Sequence, residues 1–284
     1  MDRIELLKKT KLFVLDMDGT FYLGDNILDG SLYFMQQLEK YGKEFIFFTN
    51  NSSQSPEKYI DKLSKMDMHI TRDQIMTSGD VMIRFLNTHH KGKSVYLLGT
   101  EPLIKSFKDC GIKLINDEVN KYTFDDIDKP EFKALKPDIV VVGFDKTLTY
   151  DKLTFACTFI REGSMFLSTH MDINCPVVGG FIPDSGAMCA AITLSTGIEP
   201  RYVGKPFSET ADMVADATGI AKEEMAFVGD RIYTDVATGV NNGAMGVLVL
   251  SGETKKEDIP LSDIKPDAVY ESIYEMGKLM NENL

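Results

Sequence analysis

Apolar residues along this chain come in short blocks separated by polar stretches with helical spacing, the rhythm of strands alternating with amphipathic helices. The first block, Leu12-Phe13-Val14-Leu15, is bounded by charge and reads as a buried strand. It runs straight into Asp16-Met17-Asp18-Gly19-Thr20, so two carboxylates stand two positions apart at its carboxyl end. Leu32, Met35 and Leu38 then recur at helical spacing before Gly42, which predicts a helix over 31–41. Phe45-Ile46-Phe47-Phe48 predicts a second strand, ending in Thr49-Asn50-Asn51-Ser52. Strand, helix and strand in so short a stretch make a βαβ unit with a parallel pair, which puts Thr49 on the same sheet edge as Asp16.

Ser55-Pro56 opens the next helix, and Thr71 or Ser78 caps those that follow. From Gly79 a second alternation begins. Strands are expected over 93–98, 112–115, 138–144 and 165–167, with helices over 100–111 and 151–161 and a polar, loop-rich excursion over 116–136. Turn-rich sequence around Gly179-Gly180 and Pro183-Asp184-Ser185-Gly186 marks the exit. A helix over 186–196 closing at Gly197, a helix over 208–218 before Gly219, a strand over 224–228 ending in Gly229-Asp230, a helix over 234–241 and a strand over 246–250 resume the first rhythm. The fold class is α/β: a parallel-sheet core over 1–78 and 184–284, with a smaller α/β domain over 79–183 inserted into it.

Charge narrows the chemistry. Forty-three acidic against thirty-one basic residues give a net charge of -12, which argues against a nucleic-acid or anionic-membrane surface. An anionic substrate therefore needs a local cation, supplied by a divalent metal and one or two placed lysines. The four cysteines are scattered and read as reduced thiols. The first ten residues lack the apolar region of a signal peptide and no run of eighteen apolar residues occurs, so a cytoplasmic protein with no membrane partner is expected.

Four expected strand ends carry reactive side chains: Asp16 with Asp18, Thr49 followed by Asn50, Lys205, and Asp230 with Asp235. Each has a plainer reading alone. Asp-x-Asp-Gly is also a solvated turn or half of a calcium loop, Thr49 and Asp230 suit helix caps, and Lys205 suits a surface. Together they supply the parts of phosphoryl transfer. Hydrolysing a phosphate monoester can require about 21 decades of acceleration, roughly 28 kcal/mol, and acid catalysis alone contributes about two to four. A carboxylate nucleophile, a second carboxylate to move the proton, a hard cation and donors for the phosphoryl oxygens must act jointly.

Asp16-Met17-Asp18-Gly19-Thr20, Thr49, Lys205 and Gly229-Asp230-Arg231-Ile232-Tyr233-Thr234-Asp235 resemble, in order, the four motifs of the haloacid dehalogenase (HAD) superfamily of phosphatases. The resemblance implies a Rossmann-like core, Asp16 as nucleophile, Asp18 as general acid and base, and Thr49, Asn50 and Lys205 as phosphate binders. It also implies Mg²⁺ held by Asp16, the Asp18 carbonyl oxygen and Asp230, with Asp235 assisting from the outer shell. Only 33 positions separate Asp16 from Thr49 whereas 156 separate Thr49 from Lys205, so the extra domain lies between the second and third motifs. That placement, with Val141-Val142-Gly143-Phe144-Asp145 and Gly204-Lys205-Pro206, resembles the NagD-like group, whose members include 4-nitrophenylphosphatase-type, nucleotide, phosphoglycolate and pyridoxal-phosphate phosphatases.

The implied activity is hydrolysis of small phosphorylated metabolites, sugar phosphates included, through an aspartyl-phosphate. A phosphomutase or a non-catalytic metabolite-binding regulator on the same fold is the alternative. A homodimer is compatible with the resemblance. Two departures stand out: the group usually shows Thr-Asn-x-Asp where this chain has Thr169-His170-Met171-Asp172, and Pro-Gly-Ala-Gly where it has Pro183-Asp184-Ser185-Gly186. Asp145, His170 and Asp172 are the expected specificity residues of the inserted domain. Asp145-Lys146-Thr147-Leu148-Thr149 also mimics the phosphorylation site of ion-pumping ATPases, but Leu148 replaces the glycine of that turn.

Overall fold

The computed structural model describes residues 2–177 and 179–284, which divide into two compact units. The first comprises the chain up to Thr49, Pro56–Met76 and Lys205–Leu284. Its six-stranded sheet runs Ala268–Tyr270, Met245–Val249, Met225–Gly229, Leu12–Leu15, Glu44–Thr49, Ile75–Thr77. Leu12–Leu15 pairs in parallel with both neighbours, Leu15 opposite Val228 on one side and Phe47 on the other. All four of its residues are buried, because helices cover both faces of such a sheet and leave no place for polar alternation. Phe13, Leu15, Phe34, Phe47, Val228 and Met276 belong to one continuous core.

The second unit comprises Asn50–Ser55 and Thr77–Gly204. A five-stranded parallel sheet runs Arg201–Tyr202, Met165–Ser168, Ile139–Val142, Ser94–Leu98, Lys113–Leu114. Its core is aromatic: Phe132 stacks on Phe159 with centroids 5.4 Å apart, and Tyr96 meets Phe159 edge-on at 5.5 Å. Helix Ser185–Thr196 closes at Gly197 as expected, but it buries Met188, Cys189 and Ile192 in this same core, and Arg201–Tyr202 pairs with Met165–Ser168. The unit therefore extends to Gly204, beyond the 79–183 segment set by turn composition alone.

The polar stretch over 116–136 is more ordered than its composition suggests. Helices Asn116–Val119 and Pro130–Lys133 punctuate it, and Asn116 stands in for a strand neighbour: its amide donates to Leu97 O at 2.7 Å and its Oδ1 accepts from Leu97 N at 3.1 Å. The turn-rich exit is an antiparallel hairpin, Asn174–Val177 with Gly180–Pro183. The expected helix over 234–241 begins as a wide π turn, Ile232–Val236, before Ala237–Asn241. Among the described residues no helix is long and apolar enough to cross a membrane.

Candidate active site

In the first unit Asp16 and Asp230 follow the adjacent parallel strands Leu12–Leu15 and Met225–Gly229, and Asp235 lies in the π turn after Asp230. Lys205 meets them although the strand before it, Arg201–Tyr202, belongs to the other sheet rather than to this one as the sequence led us to expect. Lys205 Nζ donates to Asp16 Oδ1 at 2.7 Å, to Asp235 Oδ1 at 2.5 Å and to Phe48 O at 3.3 Å. Asp16, Asp230 and Asp235 each bring a carboxylate oxygen within 4.8 Å of the others. Lys205, Asp230 and Asp235 are buried and Asp16 is partly so. Thr49 ends its strand half-buried at the same sheet edge, and Gly19 N donates to Tyr22 O in the turn that follows Asp18.

Glycines make the crowding feasible. Gly19 adopts φ +89°, and a Cβ there would sit 2.5 Å from Asp230 Oδ2, so only glycine meets both the backbone and the space requirement. A Cβ on Gly229 would lie 2.2 Å from Asp235 Cγ, and one on Gly252 2.0 Å from Asp230 Oδ2. The loop after Met245–Val249 was not singled out from sequence, yet it holds the site: Glu253 N donates to Asp230 Oδ2 at 2.6 Å, Thr254 N to Asp230 O at 3.1 Å, and Ser251 Oγ to Gly19 O at 2.8 Å. Its one sequence signal is Ser251-Gly252 directly after an apolar run.

Electrostatically the cluster is short of positive charge. Burial pushes Asp16 up to about 8, against the pull of Lys205 and with the help of Asp235 and Asp230. Burial with Asp235 takes Asp230 up to about 6. Lys205, although burial opposes its charge, is held above its ordinary range by Asp16 and Asp235. Asp18 is exposed, its pKa is raised by desolvation, and Lys62 and Arg231 oppose that rise. Asp230 Oδ1 is buried and, among the described residues, has no hydrogen-bond partner. An orphaned carboxylate oxygen beside two more carboxylates is the donor set a hard divalent cation takes.

The remaining expected site residues lie in the second unit. Asn50 donates its side-chain amide to Asp172 Oδ1 at 3.2 Å. Asp145 is fully enclosed in a local turn, where Oδ1 accepts from Thr147 N at 2.9 Å and Thr147 Oγ1 at 2.6 Å while Oδ2 takes Lys152 Nζ at 2.8 Å. His170 is completely buried, with Nδ1 3.6 Å from Asp172 Oδ2 and Nε2 3.5 Å from Asp184 Oδ1. Asp184 was read from sequence only as part of the turn-rich exit and of the second motif departure.

Comparison with known proteins gives the family of the chain. Residues 13–113 match the haloacid dehalogenase-like hydrolase family and residues 202–276 a HAD-hydrolase-like family. The acid sugar phosphatase of Staphylococcus aureus is 30% identical over 269 residues, covering 95% of this chain and 97% of the relative. Among solved structures, the 4-nitrophenylphosphatase of Thermotoga maritima superposes with a TM-score of 0.86 at 42% identity, covering 96% of this chain and 98% of its own. NagD of Escherichia coli K-12 superposes at 0.82 with 26% identity, covering 94% and 98%. The chain belongs to the haloacid dehalogenase-like hydrolases, with NagD-like phosphatases as its relatives. It is a phosphatase.

Proposed function

We propose that this phosphatase hydrolyses monoesters of small phosphorylated metabolites, sugar phosphates foremost, with Mg²⁺ and through an aspartyl-phosphate on Asp16. The observation that carries this reading is the contact of Lys205 with both Asp16 and Asp235 beside the orphaned Asp230 Oδ1. Asp16 and Asp230, with the Asp18 carbonyl oxygen, would hold the metal, which supplies charge neutralisation at the phosphoryl oxygens when bound. Lys205 and Thr49 bind two of those oxygens. An Asp16 oxygen attacks phosphorus, the bond to the leaving oxygen breaks, and protonated Asp18 gives its proton to that oxygen. Asp18 then takes a proton from water as the water oxygen bonds to phosphorus, and the bond to Asp16 breaks.

We assign the second unit the part of a cap, the domain that contributes to substrate choice. Sugar phosphates lead the substrate list because the Staphylococcus relatives are acid sugar phosphatases, at 30% and 32% identity. Phosphate release from a panel of sugar phosphates, nucleotides, phosphoglycolate, pyridoxal phosphate and 4-nitrophenyl phosphate tests the reading. Turnover is expected with Mg²⁺, loss with chelator, and a fall to background in Asp16→Asn. Full turnover in that variant would remove Asp16 as the nucleophile.

A further inference from the structure

The second unit holds a charged cluster that phosphoryl transfer does not use. His170 is 0% exposed, both ring nitrogens are buried, and among the described residues neither has a hydrogen-bond partner. A carboxylate faces each nitrogen, Asp172 at 3.6 Å and Asp184 at 3.5 Å. A neutral imidazole has one N–H and one lone pair, so one of these contacts sets a lone pair against an anion. Burying such an arrangement needs a positive charge among the three groups, supplied by a second ring proton or by a bound cation.

Each carboxylate is already oriented by a second contact. Asp172 Oδ1 accepts from the Asn50 amide at 3.2 Å, leaving Oδ2 toward the ring, and Asp184 Oδ1 also accepts from Ser185 N at 2.6 Å. The backbone fixes their spacing, because Gly186 N donates to Asp172 O at 2.8 Å and Asp184 N to Ile173 O at 2.8 Å. A Cβ on Gly186 would stand 2.2 Å from Met171 O, so the turn is pressed onto the start of helix Ser185–Thr196.

We infer that His170, Asp172 and Asp184 form a second cation site, for a borderline divalent transition ion such as Zn²⁺, that staples the 170–173 turn to the start of that helix. One nitrogen and two carboxylate oxygens suit such ions, whereas Mg²⁺ prefers oxygen alone. The three ligand atoms lie within 4.8 Å of one another, so a common point exists no more than about 2.8 Å from each (4.8/√3). Zn²⁺ bonds to nitrogen and oxygen are about 2.0–2.2 Å, so by distance each side chain closes in by no more than about 0.7 Å. The two motif departures of the sequence are the two new ligands: His170 stands where the resembled group has asparagine, and Asp184 where it has glycine.

The test is metal binding by the full chain, which stands apart from whether the enzyme hydrolyses any given phosphate. Asp230→Asn protein, chosen to weaken the first cluster, is stripped with chelator, titrated with Zn²⁺ and assayed for metal content. Co²⁺ serves as the absorbing probe of nitrogen and oxygen ligation. One equivalent of Zn²⁺, a Co²⁺ visible band and a thermal midpoint raised by a few degrees are expected. All three should vanish when His170→Asn or Asp184→Gly is added, substitutions that restore the residues of the resembled group. Failure of one double variant to fold leaves the other to decide. Absence of bound Zn²⁺ in Asp230→Asn, as when a proton on the ring bridges the carboxylates instead, would overturn the proposal. So would binding that survives the added substitutions.

Discussion

Each unit contains a cluster of carboxylates around one basic side chain. Asp16, Asp230 and Asp235 gather round the Lys205 ammonium, and Asp172 and Asp184 flank the His170 imidazole. They differ in how the base is engaged. Lys205 makes direct hydrogen bonds to two carboxylates, whereas His170 stands 3.5–3.6 Å from its carboxylates and, among the described residues, makes none. The first cluster therefore carries a fixed positive charge of its own and leaves one orphaned oxygen, on Asp230. In the second cluster the basic group itself is the orphan. A reaction centre benefits from the first arrangement, because the ammonium persists while phosphoryl charge arrives and leaves. The second suits a static cation that joins two segments of chain.

The largest expected effect tests the division of labour beside the first cluster. Asp18 lies outside the Lys205 contacts, and desolvation raises its pKa against the pull of Lys62 and Arg231, the direction a proton donor needs. Asp18→Asn should lower kcat by about two to four decades. Mg²⁺-dependent protection of the fold, followed by thermal melting, should survive. Full kcat in this variant would assign proton transfer to another group. Next in size is Lys205→Met, which leaves Asp16 and Asp235 buried without their counter-charge. Urea titration in chelator should show a loss of about 3–5 kcal/mol, partly recovered by Mg²⁺. A loss under about 1 kcal/mol would mean that the cluster is neutralised by protons rather than by Lys205.

A pH dependence follows with a definite sign. In the metal-free protein burial pushes Asp16 up to about 8 and Asp230 up to about 6, both above the ordinary carboxylate value of 3.8. A folded-state pKa above the unfolded one favours folding below about pH 4, and that contribution is lost as pH rises through 6 and then 8. Mg²⁺ must displace the same protons. Its stabilisation should accordingly grow from pH 5.5 to pH 8.5, read as the difference in thermal midpoint with Mg²⁺ and with chelator. Equal shifts at both ends would contradict the raised values.

Much of this organisation was legible in the order of residues. Leu12–Leu15 and Ile139–Val142 read as strands because burial on both faces leaves unbroken apolar runs. Asp16 and Asp230 were readable because a parallel sheet brings successive strand ends to one edge, whereas Lys205 follows Arg201–Tyr202, a strand of the other sheet, so that rule does not account for its place. Three features were hidden for physical reasons. Asn116 looked like loop composition, yet its amide completes the hydrogen bonding of Leu97, a tertiary role without a local pattern. The 251–254 loop acts through backbone N–H groups, which every residue has. Asp184 reaches His170 only because the hairpin Asn174–Val177 and Gly180–Pro183 folds back between them. Sequence marked both positions as departures, and only the fold makes them neighbours.

The smallest expected effect separates capping from metal binding at Asp184. Its side chain accepts from Ser185 N and so caps helix Ser185–Thr196 whether or not a cation is bound. Glycine is nearly as good at an N-cap, and the backbone there is extended at φ -108°, so Asp184→Gly should cost only a few tenths of a kcal/mol in chelator. Asp184→Ala, which loses the cap, should cost about 1 kcal/mol under the same conditions. With Zn²⁺ present the wild-type chain gains stability and both variants do not, so the glycine variant falls behind only when metal is added. A glycine variant as destabilised in chelator as the alanine variant would place the role of Asp184 in a contact other than the cap, and the difference between the two clusters would then rest on His170 alone.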